Sequence, residues 1–194
     1  MRKIMLTIFT LLVVAMVSLP TRAAWQLDNS NSRLNFISVK KSAIAENHSF
    51  AKLEGSIDQQ AQVNISVDLS SVNTNIAIRD ARMKNFVFET SKYSTAKFTA
   101  QLEKSMLETL KVGQYQKLNV TGTIDFHGQQ QIIIIDVSVV KLTKDRILVN
   151  TLEPFFIKAD AFGLVAGINK LKELASLPSI DYVVPVSFSV MFTQ

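Results

Sequence analysis

Residues 118–139, LNVTGTIDFHGQQQIIIIDVSV, decide the fold class, because apolar and polar side chains alternate on both sides of a short turn. The alternating apolar positions are Leu118, Val120, Ile124 and Phe126 before the turn and Ile133, Ile135, Val137 and Val139 after it. A period of two is typical of half-buried β-strands. His127-Gly128-Gln129-Gln130 separates the two runs and predicts a hairpin, so the strands are antiparallel neighbours.

The same alternation extends outward from this hairpin to both ends of the chain. It appears at Leu34 and Phe36, at Val63, Ile65, Val67 and Leu69, and at Val184, Val186, Phe188, Val190 and Phe192. Residues 50–58, 96–104 and 146–158 fit weaker strands, and Lys144-Asp145 is a second short connection. About eight strands joined by short links predict an antiparallel architecture.

Two segments depart from the β pattern and predict short helices that cover an edge or an end of the sheet. In residues 76–87 the apolar side chains follow helical spacing, and Asp80 is a candidate N-cap. Residues 167–177 place Ile168, Leu171 and Leu174 on one face before Pro178. The fold class is therefore all-β, either a sandwich or a barrel, and an eight-stranded barrel can hold one small ligand.

The first 23 residues have the layout of a secretory signal peptide. Arg2 and Lys3 precede sixteen residues without a charge, and Thr21-Arg22-Ala23 provides small residues for cleavage before Ala24. A retained membrane anchor is the alternative, but the run is shorter than the ~20 residues that span a bilayer. We expect a signal peptide at 1–23 and one exported domain at 24–194.

Removal of this segment changes the charge balance. The whole chain carries 21 Lys and Arg against 16 Asp and Glu, a net charge of +5, and three of the basic residues lie in the first 23. The remaining net charge is +2, without a cluster of basic residues, which argues against nucleic-acid binding. The chain has no cysteine, so it forms no disulfide and carries no lipid on an N-terminal cysteine.

Residues with catalytic or metal-binding chemistry are few. The histidines are His48 and His127, which we interpret as polar loop residues, and no ligand spacing for a metal is present. A G-x-S-x-G nucleophile motif and a phosphate-binding glycine loop are also missing from the sequence. The chain is predicted to be neither an enzyme nor a metalloprotein, and a hydrolase built around His127 is the weakest of three hypotheses.

Arg79-Asp80 is more distinctive, because it follows the mainly apolar Thr74-Asn75-Ile76-Ala77-Ile78. One interpretation is a helix start with Asp80 as its cap. The other is a cationic lip beside an apolar pocket, which would meet a polar or anionic ligand head group.

Several short motifs in a fixed order resemble the YceI-like family of exported polyisoprenoid-binding proteins. They are Trp25-Gln26-Leu27-Asp28, Ser71-Val72-Asn73-Thr74, Arg79-Asp80, Val120-Thr121-Gly122, His127-Gly128, Ile157-Lys158-Ala159-Asp160-Ala161-Phe162-Gly163-Leu164 and Val184-Pro185-Val186. The resemblance covers essentially the whole chain after the signal segment. It implies an extended, lipocalin-like, eight-stranded antiparallel barrel in the periplasm, whose apolar tunnel holds a polyprenyl chain or a quinone-like lipid. The chain departs from the family pattern at Gln129-Gln130-Gln131 and at residues 46–50.

The resemblance and the strand pattern together give a candidate ligand site. The predicted tunnel lining is Val63, Ile65, Val67, Phe86, Phe88, Leu118, Val120, Ile124, Phe126, Ile133, Ile135, Val137, Phe155, Phe162, Val186 and Phe188. Arg79 is predicted to make a polar contact at the mouth, with Asp80 orienting it. Apart from the lipid ligand no cofactor is expected, and Lys40-Lys41 and Lys170/Lys172 would allow only transient membrane contact.

The oligomeric state stays open, with a dimer among the alternatives. The rival hypothesis of another class is a secreted β-sandwich interaction module without a ligand cavity, which would expose an edge strand or an apolar patch to a partner.

Overall fold

The computed structural model describes residues 25–194, so the predicted signal segment at 1–23 lies outside the described residues. The strands of this part of the chain are β1 (Trp25–Lys40), β2 (Ile44–Phe50), β3 (Leu53–Ile57), β4 (Gln62–Asp68), β5 (Val72–Asn73), β6 (Thr95–Gln101), β7 (Tyr115–Phe126), β8 (Gln129–Thr143), β9 (Arg146–Thr151), β10 (Phe155–Lys158) and β11 (Val183–Thr193). The helices are α1 (Ala77–Arg82), followed by a π-helical turn at Met83–Val87, α2 (Lys104–Thr109) and α3 (Val165–Leu174). Among residues 25–194, no helix combines the length and the apolar character needed to cross a membrane.

The strands close into a barrel. The order β1-β3-β4-β6-β7-β8-β9-β11 returns to β1, because β11 pairs with β1 from Gln26↔Thr193 to Phe36↔Val186. Each of these pairings is antiparallel. The predicted eight-stranded antiparallel barrel is therefore confirmed, and the β-sandwich fold of the rival hypothesis is wrong.

Three strands prolong the wall at one end of this barrel. The second half of β1 pairs with β2 through Lys40↔Ile44, and β2 pairs in turn with the short β5. On the other side, β10 pairs with β11 from Phe155↔Val186 to Lys158↔Val183. β2 and β10 therefore extend the barrel beyond its closed ring.

The β7–β8 hairpin shows how the sequence specifies the register. His127 and Gly128 both have a positive φ, at 53° and 75°, which is the conformation that a two-residue hairpin turn requires. The strands then pair without a break from Phe126↔Gln129 to Tyr115↔Val140. The predicted hairpin is confirmed, with Gln129 and Gln130 belonging to β8 instead of the turn.

Helices cover both ends of the barrel. Leu107 of α2 and the adjacent Leu110 pack against a core cluster that contains Trp25. Met83, Val87 and Ile168 join a second cluster, through which the π-helical turn and α3 cover the opposite end. Of these helices, α2 escaped sequence prediction, because six residues are too few to show a helical period.

The two predicted helices form, with different boundaries and a different cap. Ile76 occupies the N-cap of α1 and makes no side-chain hydrogen bond, so the prediction of Asp80 as N-cap is wrong. Asp80 instead lies in the first turn of α1, where its carboxylate reaches back to Thr74. The second helix begins at Val165 and ends at Leu174, two residues before the predicted start and three before the predicted end.

Candidate functional site

The barrel encloses a cavity of about 370 Å³, whose wall is almost entirely apolar. This volume falls within the roughly 300–1,000 Å³ range of small-molecule sites. Inward-facing residues of all eight barrel strands line it, together with residues of the π-helical turn and α3. The cavity is therefore an internal space and not a surface groove.

Most of the predicted tunnel residues line this cavity. They are Val63, Ile65, Val67, Phe88, Leu118, Val120, Ile124, Phe126, Ile135, Val137, Phe155, Val186 and Phe188. Phe88 follows the π-helical turn. The period-two pattern placed the other residues on one face of each strand, and closure of the barrel turns that face inward. Their contact with a ligand stays a prediction.

Three predicted lining residues lie elsewhere. Phe86 is 41% exposed, because the π-helical turn directs Met83 and Val87 inward instead. Ile133 packs on the core opposite Gly122 in the strand register. The ring of Phe98 lies against Gly122 and lines the cavity there, whereas Ile133 does not. Phe162 is buried against Phe126 with ring centroids 5.5 Å apart, and of the two rings only Phe126 lines the cavity.

Other lining residues were missed by sequence reasoning. Leu34, Phe36, Val190 and Phe192 belong to the same period-two pattern and could have been included on that ground. The helical residues Met83, Ile168 and Leu171 could not, because only tertiary packing brings their helices over the barrel end.

Most of the polar lining residues gather at the end that β2 prolongs. Ser38 and Lys40 of β1 and Glu46 and His48 of β2 line the cavity here. Ser38 lies opposite Glu46 in the strand register, so the side chains of these alternate positions share the inner face. α1 adds Arg79 and Arg82, and the segment before β11 adds Asp181; these seven residues are the polar mouth.

A carboxylate joins two cations in the polar mouth. Glu46 Oε2 lies 2.7 Å from Lys40 Nζ and 2.9 Å from Arg79 Nη1. The hydrogen bond from Lys40, and then the charge of Arg79, hold the pKa of Glu46 below its ordinary value. These three side chains are only 22–27% exposed, so their charges are partly shielded from water.

Asp80 acts on Arg79 through Thr74. Its Oδ1 accepts hydrogen bonds from Thr74 N at 2.8 Å and Thr74 Oγ1 at 2.5 Å. The carbonyl oxygen of Thr74 then accepts a hydrogen bond from Arg79 Nη2 at 2.8 Å. Arg79 lines the cavity and Asp80 does not. Asp80 therefore positions Arg79 indirectly, by holding the Thr74 backbone to which Arg79 bonds.

His48 is a buried member of the cavity wall, which makes its interpretation as a polar loop residue wrong. The residue is 3% exposed, and its Nε2 lies 2.8 Å from Ser38 Oγ. Within residues 25–194 its Nδ1 has no hydrogen-bond partner. Burial, and next the charge of Arg79, lower the pKa of His48, so the imidazole is neutral near pH 7.

A serine beside a histidine is also the start of a nucleophilic dyad, but the third member is missing here. In a hydrolase, a carboxylate holds the second ring nitrogen and orients the base. No group in the described part of the chain holds Nδ1 of His48. Ser38 and His48 therefore provide a neutral hydrogen-bonding pair rather than an activated nucleophile.

His127 has a structural environment outside the cavity wall. Its Nδ1 lies 3.2 Å from the carbonyl oxygen of Phe162, its Nε2 lies 2.9 Å from Glu89 Oε2, and its ring packs on Tyr93. Within the described residues, no hydroxyl group hydrogen-bonds to it, and no three acidic or histidine side chains cluster as metal ligands would. The geometry gives the hydrolase hypothesis no nucleophile beside His127.

Comparison with known proteins agrees with this architecture. A model of the YceI-like domain matches residues 25–192. A solved polyisoprenoid binding domain from Saccharophagus degradans, implicated in plant cell wall breakdown, is 38% identical and has a TM-score of 0.87. The match covers 89% of this chain and 99% of that domain. No curated protein matches the chain.

More distant structures share the fold alone. Burkholderia cenocepacia BcnA is 17% identical with a TM-score of 0.67, over 85% of this chain and 98% of its own. A Campylobacter jejuni YCEI protein is 18% identical with a TM-score of 0.54, over 76% and 84% of the two chains. Because the family model covers nearly all of the described residues, this chain belongs to the YceI-like domain family.

Proposed function

We propose that the protein is an exported, non-catalytic carrier that holds an amphiphilic isoprenoid, a polyprenyl chain or a quinone-like lipid, inside its barrel. The observation that carries this proposal is the apolar cavity inside the barrel, with most of its polar groups gathered at one end. That distribution matches an apolar tail with a polar head. The Saccharophagus degradans domain, 38% identical over almost its full length, is described as polyisoprenoid-binding, which supports the same ligand class.

The energetics of such binding require no directional chemistry along the tail. Burial of apolar surface contributes about 25 cal/mol per Å². A few hundred Å² of isoprenoid tail would then supply several kcal/mol before the costs of association. The apolar wall is sufficient for the tail, and selectivity must come from the polar mouth.

The N-terminal pattern supports a proposed location for the protein. The charged start, apolar run and small residues before Ala24 support export through a signal peptide, and we propose that the mature chain lies in the periplasm.

Exposed Ile44, Ile76 and Ile78 flank the residues of the polar mouth, beside the basic pair at 40–41. These apolar and basic groups would allow transient contact with a membrane surface, where the lipid is collected or released.

The proposal is tested on protein purified from the periplasm of its native host. Extraction with organic solvent and mass spectrometry should find an isoprenoid in near-stoichiometric amount. Protein that folds but carries no lipid, and that takes up none from detergent, would exclude the carrier function.

A pair of variants of β6 separates cavity binding from surface binding. Ala96 lines the cavity, whereas Thr99 is exposed on the outer face of the same strand. Ala96→Phe should lose most of the bound lipid because the new ring fills the cavity. Thr99→Phe should keep it, and equal retention by both variants would place the lipid outside the barrel.

A further inference from the structure

The polar mouth already contains an anion of its own. A single oxygen of Glu46 contacts both Lys40 Nζ, at 2.7 Å, and Arg79 Nη1, at 2.9 Å. Lysine and arginine are the groups that would bind a phosphate head group. To reach these cations, the phosphate group of a ligand would have to displace the Glu46 carboxylate or lie next to this negative charge.

The two arginines of the polar mouth already make hydrogen bonds within the protein. Arg79 Nη1 bonds to Glu46 and its Nη2 to the carbonyl oxygen of Thr74, so each terminal nitrogen already makes one hydrogen bond within the protein. The Nε of Arg79 is buried and has no hydrogen-bond partner among the described residues. Arg82 also donates to a protein group, the carbonyl oxygen of Leu174, at 3.3 Å. Part of each guanidinium fork that would bind phosphate is thus engaged within the protein.

The charges that line the polar mouth largely offset one another. Its cations are Lys40, Arg79 and Arg82, and its anions are Glu46 and Asp181. Asp80 lies directly behind, hydrogen-bonded to Thr74. The two lining anions offset two of the three lining cations, and Asp80 adds a negative charge behind them, so the net positive field on an anionic ligand is weak.

A neutral hydrogen-bonding pair lies on the same inner face. Ser38 and His48 line the cavity, bond to each other at 2.8 Å and carry no charge near neutral pH. A hydroxyl or imidazole group of this kind can hydrogen-bond a carbonyl or hydroxyl oxygen without desolvating a charge.

We propose that Glu46 determines head-group specificity, so that the cavity accepts isoprenoids with a neutral oxygen-bearing head and rejects phosphorylated ones. This inference rests on the proposed carrier function and narrows its ligand class. Glu46 pairs with Lys40 and Arg79, two of the cations that a phosphate would need, and it repels the charge of a phosphate brought close to it.

The test compares two ligands that differ only in the head group, geranylgeraniol and geranylgeranyl monophosphate. Both are titrated into delipidated protein, and binding is measured by native mass spectrometry and calorimetry. The wild type should bind the alcohol at least about tenfold more tightly than the phosphate, since juxtaposed like charges cost several kcal/mol. Equal affinities, or preference for the phosphate, would overturn the assignment without using any variant.

A charge-neutralising variant then isolates the residue. Glu46→Gln should raise phosphate affinity at least about tenfold by removing the competing anion, and leave alcohol affinity nearly unchanged. Glu54→Gln, an exposed position of β3, makes the same change in net charge and should alter neither affinity. An unchanged phosphate-to-alcohol ratio in Glu46→Gln would overturn the role of Glu46. If the wild type binds neither ligand, the proposed carrier function itself is contradicted, and the inference about Glu46 falls with it.

Discussion

Gly167 is the position where the packing of α3 makes the sharpest quantitative prediction. A Cβ atom added there would lie 2.1 Å from the carbonyl oxygen of Phe86 and 2.7 Å from Val87 Cα. Since ordinary contacts start at 3.4 Å, α3 would have to move by about 1.3 Å from the π-helical turn. Both neighbours are backbone atoms, which cannot rotate away as a side chain would.

Two effects of Gly167→Ala oppose each other, and their sizes decide the sign. Alanine favours a helix over glycine by up to about 1 kcal/mol. Overpacking against a rigid neighbour costs about 1–3 kcal/mol or more, and the backbone contact places Gly167 at the upper end. We expect a net loss of about 2 kcal/mol in the free energy of unfolding. In urea, with a slope of about 2 kcal/mol/M, the midpoint falls by about 1 M.

A neighbouring position supplies the matched control. Ala166 is exposed on the same helix, so Ala166→Gly should lose only the helix propensity, about 1 kcal/mol or less. Ile168 and Leu171 of α3 line the cavity, so Gly167→Ala should also retain less lipid than Ala166→Gly. A Gly167→Ala protein as stable as the wild type, or more stable, would refute the close-packing argument.

Three further predictions concern stability. Asp80→Asn should lower the free energy of unfolding, measured in urea, by about 1–3 kcal/mol, because the part-buried hydrogen bonds from Thr74 lose their charged acceptor. An unchanged free energy of unfolding would mean that the carboxylate of Asp80 does not stabilise the fold through Thr74. The pKa of His48 is lowered in the folded barrel, so the unfolded chain takes up a proton on this imidazole more readily than the folded one. The contribution of His48 to the free energy of unfolding should be fully present above pH 6.5 and should be lost as the pH falls below it. His48→Gln should flatten this part of a plot of urea midpoint against pH. Ile147 is 1% exposed, and Ile147→Ala should lower the free energy of unfolding by about 2–5 kcal/mol. Ile132 is 78% exposed, and Ile132→Ala should change it by no more than about 0.5 kcal/mol. Similar shifts in melting temperature for the two variants would contradict the inward orientation of Ile147.

The barrel wall could be predicted because its determinants are local. In residues 118–139 the pattern specifies strand, turn and inward face from adjacent side chains, and the apolar residues face inward as expected, although Ile133 does not line the cavity. The exception depends on Phe98, a residue of β6 whose ring covers Gly122 on the neighbouring strand. The strand pattern of 118–139 contains no information about that ring.

The polar mouth could be predicted only in part, because it is assembled from distant segments. Arg79 was identified by its charge in an apolar context, but its partner Glu46 is 33 residues away in the chain. His48 resembled a solvated loop residue because its partner Ser38 lies on the preceding strand, in a hairpin without a glycine. Pairing of β1 with β2, and docking of α1 beside them, are tertiary events that create the site.

The strands that prolong the barrel should open more easily than its closed ring. β2, β5 and β10 pair outside the closed ring, so their hydrogen bonds can break without opening the ring itself. Local unfolding of such peripheral elements costs less free energy than global unfolding. Amide hydrogens of β2 and β10 should then exchange with solvent much faster than those of β7 and β8. A wide lipid could enter by brief fraying of this rim while the remainder of the wall keeps its shape.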